Sequence, residues 1–356
     1  MPRAVLLAVL IATTVFFGGG GLSGARGQRP KQLRIATLAP RSCALGQELK
    51  KLGKALRKPS GGGVGLRVYP SGVAGDEKDA IEKIRKGQMQ GALLTAAGLG
   101  QIVPEIAALD TPGLVNRHRQ LRAVLASLRP EWEKKLLAKG FVVLAWGDGG
   151  RYRIFSNRPV AGPADLKKAR AWLWPASVPL KALWKAVGAT PVALGAPGVY
   201  GGLKAGSLDA LVATSLTART MRWHTRLDHV TGQTFGVLAG ALVVEKKTWA
   251  GLADAARETV KSGVSSSALN DPRGMSRADD EAFQELLDRD YQATLETGAS
   301  RREWKRVFQQ VRGQLAGKAF PAALLERIEN AAARYLLERR PESIRIEQKS
   351  GPHMEQ

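Results

Sequence analysis

The chain is poor in the residues that build covalent or metal-held frameworks. Among 356 residues there is one cysteine, Cys43, and there are four histidines. A single cysteine excludes an intrachain disulfide network and a cysteine-built zinc cluster. His118, His224, His229 and His353 offer no metal pair, because the nearest two stand five apart and do not share a helix face. Cys43 has no histidine beside it in sequence and reads as an inert thiol. Catalytic signatures are missing as well: no GxGxxG follows a strand, and there is no P-loop, HExxH or GxSxG elbow. Acid is scarce, with 31 Asp+Glu against 54 Lys+Arg and a formal net charge of +23. The bases are spread along the chain and aromatics, at 6%, do not interleave with them, which argues against a nucleic-acid platform. Beyond the N-terminus no apolar run approaches the roughly 20 residues of a membrane span, so the processed chain is expected to be soluble.

What the sequence does have begins with an export signal. Arg3 precedes an uncharged apolar run, Ala4 to Phe17, and a small-residue stretch ending in Ala25-Arg26-Gly27. Residues 1–27 therefore read as a signal peptide cleaved near Gly27, which sends the mature chain to a bacterial periplasm. Its loss removes Arg3 and Arg26 and lowers the formal charge from +23 to +21. Cys43 lies too far downstream to carry a lipid at the cleavage point. A 44% hydrophobic fraction over this length predicts folded cores and two domains.

Strand and helix patterns alternate from there. Alternating β-rich segments at 33–38, 64–69 and 91–95 are separated by helical periodicity, as in Leu45, Leu49, Leu52 and Leu56. Residues 141–146 predict a strand, Gly147-Asp148-Gly149-Gly150 a break, and 153–156 a further strand. A second β/α series follows: strands at 171–174, 192–194, 210–213 and 238–244, and helices at 177–187 and 200–204. From Thr248 the chain reads as helical to about Leu337, and 336–356 as a flexible polar tail. The order predicts an α/β sheet with helices on its faces. A weak internal echo sets Gly87 on Gly206 and Thr95 on Thr214, each unit running helix, glycine, strand, threonine. It suggests two similar lobes offering polar strand ends to one cleft, where α/β sheets bind ligands.

Candidate chemistry is thin. The acid groups Asp76, Glu77, Asp79 and Asp279, Asp280, Glu281 read as helix-start or solvated charges. Tryptophans are more telling: Trp146, Trp172, Trp174, Trp184 and Trp223 fall within one stretch. Trp172 and Trp174 share one face of a strand and Leu173 the other. Either ordinary core packing or an apolar pocket accounts for them.

Several runs together resemble the DctP-type solute-binding proteins of TRAP (tripartite ATP-independent periplasmic) transporters. They are RIATLAP from Arg34, YPSGVAGDEKDAIEKIRKGQMQGALLT from Tyr69, WGDGGRYRIFSNRPVAGPADLKKARAWLWP from Trp146, and GVYGGLKAGSLDALV from Gly198. The resemblance spans about residues 33–335. It implies a two-lobed α/β periplasmic binding protein fold with hinge strands and a long helix spanning both lobes. It implies no enzyme and no cofactor, a bound solute, and membrane permease subunits as partners. The expected lobes are 30–147 plus 238–275, and 148–237 plus 276–335. Asp148-Gly149-Gly150-Arg151 matches the family's Asn-Gly-x-Arg step, making Arg151, with Arg153 as its alternative, a candidate carboxylate contact. Tyr200 belongs to a second matching segment and either reaches the ligand or only packs.

Two departures stand out. Leu173 occupies the place of the family's clamp arginine, and Ala213 that of an asparagine that orients the ligand. Leucine offers no donor where arginine offers a planar fork. With the tryptophans, this predicts an apolar or lipid-like ligand, and with it a helical-repeat periplasmic partner known for some relatives. An organic-acid ligand clamped by Arg151 is the alternative. An exported enzyme using Asp148, Arg151 and Tyr200 is a remote one, since no base is paired with a nucleophile. The expected ligand-binding residues are Thr95, Gln101, Trp146, Asp148, Arg151, Trp172, Leu173, Trp174, Tyr200, Ala213, Thr214 and Trp223.

Overall fold

The computed structural model describes residues 31–56, 64–267, 274–289, 291–295 and 297–337. The expected signal peptide at 1–27 lies outside these residues, as does the expected tail 336–356 apart from 336 and 337, which end the last helix. The frame is one mixed ten-stranded sheet. Its strands are β1 (Lys31–Ala36), β2 (Val64–Tyr69), β3 (Gly91–Thr95), β4 (Phe141–Ser156), β5 (Arg170–Leu173), β6 (Thr190–Ala193), β7 (Ala210–Thr214), β8 (His229–Thr231), β9 (Gly236–Glu245) and β10 (Gln292–Thr294). The order is β2-β1-β3-β9-β4-β7-β5-β6, with β8 beside β4 and β10 beside β8. Parallel pairing joins β1 to β2 and β3, and β5 to β6 and β7. The centre is antiparallel, where β9 meets β3 and β4, and β4 meets β7.

β4 and β9 knit the two halves together. The first part of β4 pairs with β9 from Phe141↔Glu245 to Asp148↔Ala239, and its last part pairs with β7 from Tyr152↔Thr214 to Ser156↔Ala210. The sequence pattern predicts two strands broken at Gly147–Gly150, but the backbone stays extended and paired through them. Pairing with β9 overrides the local turn preference of glycine and aspartate. The cost is a bulge: three steps on β4, Asp148 to Arg151, oppose two on β9, Ala239 to Val237. Gly150 sits there at φ +107°.

Side chains alternate across this sheet and feed separate cores. From β9, Ala239, Ala241 and Val243 enter one core, and Leu242 and Val244 the other. The smaller core is closed by α1 (Ala44–Ala55) through Leu49 and Leu52, and by α9 (Asp254–Ser265) through Val260 and Val264. Opposite lie α2 (Glu77–Arg85), α3 (Ala96–Gly100) and α4 (His118–Ala138). The second half carries α5 (Val178–Ala186), α6 (Val199–Lys204) and α7 (Ser215–Thr220), and α8 (Lys246–Ala250) follows β9. The C-terminal stretch is helical as expected apart from the short β10: α10 (Gly274–Leu287), α11 (Gly298–Leu315) and α12 (Ala322–Leu337). α10 packs on β4 and α7, α11 on α5, and α12 on α4, so the last two helices reach both halves. No helix among the described residues is long and apolar enough to cross a membrane.

The bulge generates a test. A Cβ at Gly150 would need a backbone that L-residues avoid and would run into the Asp279 carboxyl. Gly150→Ala is expected to cost about 2 kcal/mol or more, read as a lower melting temperature.

Candidate functional site

A cavity of about 230 Å³ lies against the stretch where β4 and β9 pass from one half to the other. Three threonines face it from strand ends: Thr37 after β1, Thr95 ending β3 and Thr214 ending β7. Thr95 and Thr214 each cap the helix that follows, accepting from Gly98 N at 3.3 Å and Thr217 N at 3.1 Å. The echo between the two segments is thus a shared strand–threonine–helix turn on either side of the cavity.

One wall is aromatic. Trp172 stacks on Trp174 with ring centres 6.0 Å apart and meets Trp223 edge-on at 5.1 Å. Trp172 Nε1 donates to Leu194 O at 2.9 Å. Trp174 Nε1 donates across the cleft to Asp76 Oδ2 at 3.1 Å, tying the turn after β5 to the cap of α2. Trp146, from β4, donates to Glu133 at 3.0 Å and leans on Trp132.

The polar part is acidic. Glu77, Asp110, Asp148 and Tyr152 line the cavity, and among the described residues no lysine, arginine or histidine does. Glu77 accepts from Thr95 N at 2.7 Å and from Thr95 Oγ1 at 2.9 Å. Burial pushes its carboxyl up to about 8 against those two hydrogen bonds. Asp110 accepts from the Tyr152 hydroxyl at 3.4 Å, and burial pushes it up to about 7. Burial, with Asp110 and Glu77 nearby, holds the Tyr152 phenol well above its ordinary value. Asp148 Oδ1 lies 3.2 Å from His118 Nδ1. Among the described residues no cluster of His, Cys, Asp and Glu could hold a metal ion.

Of the residues expected from sequence, Thr95, Trp146, Asp148, Trp172, Trp174, Ala213, Thr214 and Trp223 line the cavity, and Gln101, Arg151, Leu173 and Tyr200 do not. Gln101 caps the end of α3. Leu173 points to the other side of β5, into the larger core. Tyr200 sits on α6 and takes Arg226 Nη2 at 3.2 Å. Neither arginine reaches the cavity. Arg151 pairs with Asp280, and its backbone N–H donates to Asp279 Oδ2 at 2.9 Å. Arg153 is buried, donates to Thr231 O at 3.2 Å and Gly232 O at 2.7 Å, and covers the Phe283 ring. Burial lowers its guanidinium to about 10. Strand alternation explains both, since Tyr152 between them takes the cavity side.

The acid groups also need correction. Asp76 and Asp79 form the expected capping box, but Glu77 is 3% exposed and Asp279 1% exposed, so neither is a solvated charge. Asp279 accepts from Leu216 N at 2.9 Å as well as from Arg151 N, bridging α10 to α7 and β4. Sequence reasoning missed Glu77, Asp110 and Tyr152 as cavity residues. The only local signal was the parity of Tyr152 against its arginine neighbours.

Known proteins agree with this architecture. Residues 35–318 match the family model DctP, described as bacterial extracellular solute-binding protein, family 7. The C4-dicarboxylate-binding periplasmic protein DctP of Rhodobacter capsulatus is 24% identical over 320 residues, 89% of this chain and 95% of that one. The sugar acid binding protein of Advenella mimigardefordensis, solved in complex with galactonate, has TM-score 0.80 at 16% identity, covering 86% of this chain and 99% of its own. A TRAP periplasmic solute binding protein of Shewanella oneidensis with bound succinate also has TM-score 0.80, at 20% identity, covering 85% and 99%. These two solved structures hold organic acids, which sides with the organic-acid alternative over the apolar or lipid-like ligand expected from the sequence.

The two raised carboxyls set a pH dependence. The folded state holds protons on Glu77 and Asp110 that the unfolded chain has released, so stability falls as pH rises from the ordinary carboxyl range through about 8. Thermal melts over this range are expected to show a falling melting temperature, and Glu77→Gln a flatter slope.

Proposed function

Because the chain belongs to the DctP family of bacterial extracellular solute-binding proteins, family 7, we propose that it captures an organic acid outside the cytoplasm and hands it to a TRAP-type membrane permease. The observation that carries this reading is the place of the cavity, against the two strands that cross between the halves of a fold whose solved relatives hold galactonate and succinate. Its volume, about 230 Å³, is below the roughly 300–1,000 Å³ of pockets for drug-sized molecules, which favours a small metabolite over a long acyl chain. Residues 1–27 direct export to the periplasm. The lobes are 30–147 plus 238–275 and 148–237 plus 276–335, with α12 reaching back onto α4. They close about the bulge in β4, by the kind of hinge motion that element-terminal residues absorb. The tryptophan wall covers the carbon skeleton of the solute, and Thr214 and Asp148 meet its polar groups.

Two measurements test this. Tryptophan fluorescence titrations with succinate, galactonate and galacturonate are expected to show saturable one-to-one binding of at least one, recovered unchanged. Failure of all three, with binding of a long-chain fatty acid instead, contradicts the reading. Separately, Trp174→Phe removes the hydrogen bond to Asp76 across the cleft. That loss, about 1 kcal/mol, is expected to favour the open form. Small-angle scattering of the ligand-free variant should then show a larger radius of gyration than wild type, and an identical radius contradicts the latch.

A further inference from the structure

An organic acid in this cavity meets a problem of charge. Among the described residues the wall carries Glu77, Asp110 and Asp148 and no basic side chain. The two arginines nearest in sequence are committed elsewhere, Arg151 to Asp280 and Arg153 to backbone carbonyls and Phe283. A carboxylate entering beside ionised carboxylates would be repelled in a medium that screens poorly.

The geometry supplies another way to hold it. Glu77 and Asp110, with Thr95 and Tyr152, form one cluster on the wall built from α2, β3, β4 and the turn 104–110. We infer that this cluster is the subsite for the solute's carboxylate, and that it grips the anion through carboxylic O–H donors, so that the solute is captured together with a proton. The inference rests on the organic-acid reading above and names the recognition chemistry within it. An O–H···O⁻ hydrogen bond is among the stronger ones available to a protein and needs no cation.

The surroundings favour the neutral acids. Glu77 is faced by Asp76 from its own cap, by Asp110 and by Tyr152. β3 and α3, packed near it, carry no ionisable side chain. Around the turn 104–110, β9 offers only Glu245 at its far end. Lys181 and Lys185 of α5, and Glu326, Arg327, Glu329 and Arg334 of α12, are exposed to solvent. Glu105 of the turn itself pairs with Lys135 at 2.8 Å, and in the cavity Asp148 lies against His118. Burial raises Glu77 to about 8 and Asp110 to about 7, so near neutral pH the pair holds roughly one proton and has room for a second.

The test is isothermal titration calorimetry of the full mature chain with succinate, galactonate and galacturonate, at about pH 7.5, in phosphate, HEPES and Tris. These buffers differ in ionisation enthalpy, so the apparent enthalpy reports protons exchanged. Uptake of up to about one proton per bound acid is expected, with affinity falling up to about tenfold per pH unit above neutrality. Glu77→Gln with Asp110→Asn replaces each acid by a neutral donor. The double variant is expected to lose the proton uptake while keeping, at about pH 8.5, the affinity that wild type shows near pH 6. If that variant does not fold, the wild-type proton count still decides. Acid binding with no proton uptake and an affinity flat from about pH 6 to 9 overturns this inference and leaves the organic-acid reading standing. No binding of any of the three acids overturns the reading, and the inference with it.

Discussion

The antiparallel pairing of β4 with β9 is the constraint on which the rest of the molecule depends. Each strand runs through both halves of the sheet, so the two halves share backbone hydrogen bonds and not merely a linker. The bulge at Asp148–Arg151 lets this pair twist while remaining paired. Everything that makes the cavity is referred to it: Trp146, Asp148 and Tyr152 from β4, Leu238 to Leu242 from β9, and the capped threonines to either side.

For the organic acid proposed above, a wall of tryptophans and carboxyls differs from a guanidinium clamp. Guanidinium clamps gain their strength from charge and a fixed fork, at the cost of desolvating an ion. Here Leu173 faces a core, and the neighbouring arginines brace α10 against β4. What remains in the cavity is hydrogen-bonding capacity without positive charge. Burial pushes both carboxyls above their ordinary range, and a carboxyl that keeps its proton is a donor.

Much of the architecture was legible in the chain because it rests on local pattern. Alternation in 33–38, 64–69 and 141–146 and the leucine spacing of α1 marked elements that the structure contains, and the order of runs such as RIATLAP and GVYGGLKAGSLDALV marked the family. The failures share a cause. Gly147–Gly150 read as a break because its extended form is imposed by β9, about ninety residues downstream. Glu77 read as a helix-start charge because its partner Thr95 is 18 residues away and reached only through the fold. Arg151 read as a clamp because Asp280, which takes it, lies 129 residues on. The lipid-like expectation counted tryptophans and missing donors, but the carboxyls of Glu77 and Asp110 enter the cavity from elements distant in sequence from Leu173.

The central claim is that an acid is held in this cleft by neutral carboxyl groups. Infrared difference spectroscopy on addition of galactonate or succinate tests it most directly, with the solute carboxylate ¹³C-labelled to separate its bands from the protein's. The account predicts a gained protonated-carboxyl C=O band belonging to the protein, absent in Glu77→Gln with Asp110→Asn. Saturable binding with no change in the protonated-carboxyl region would contradict it.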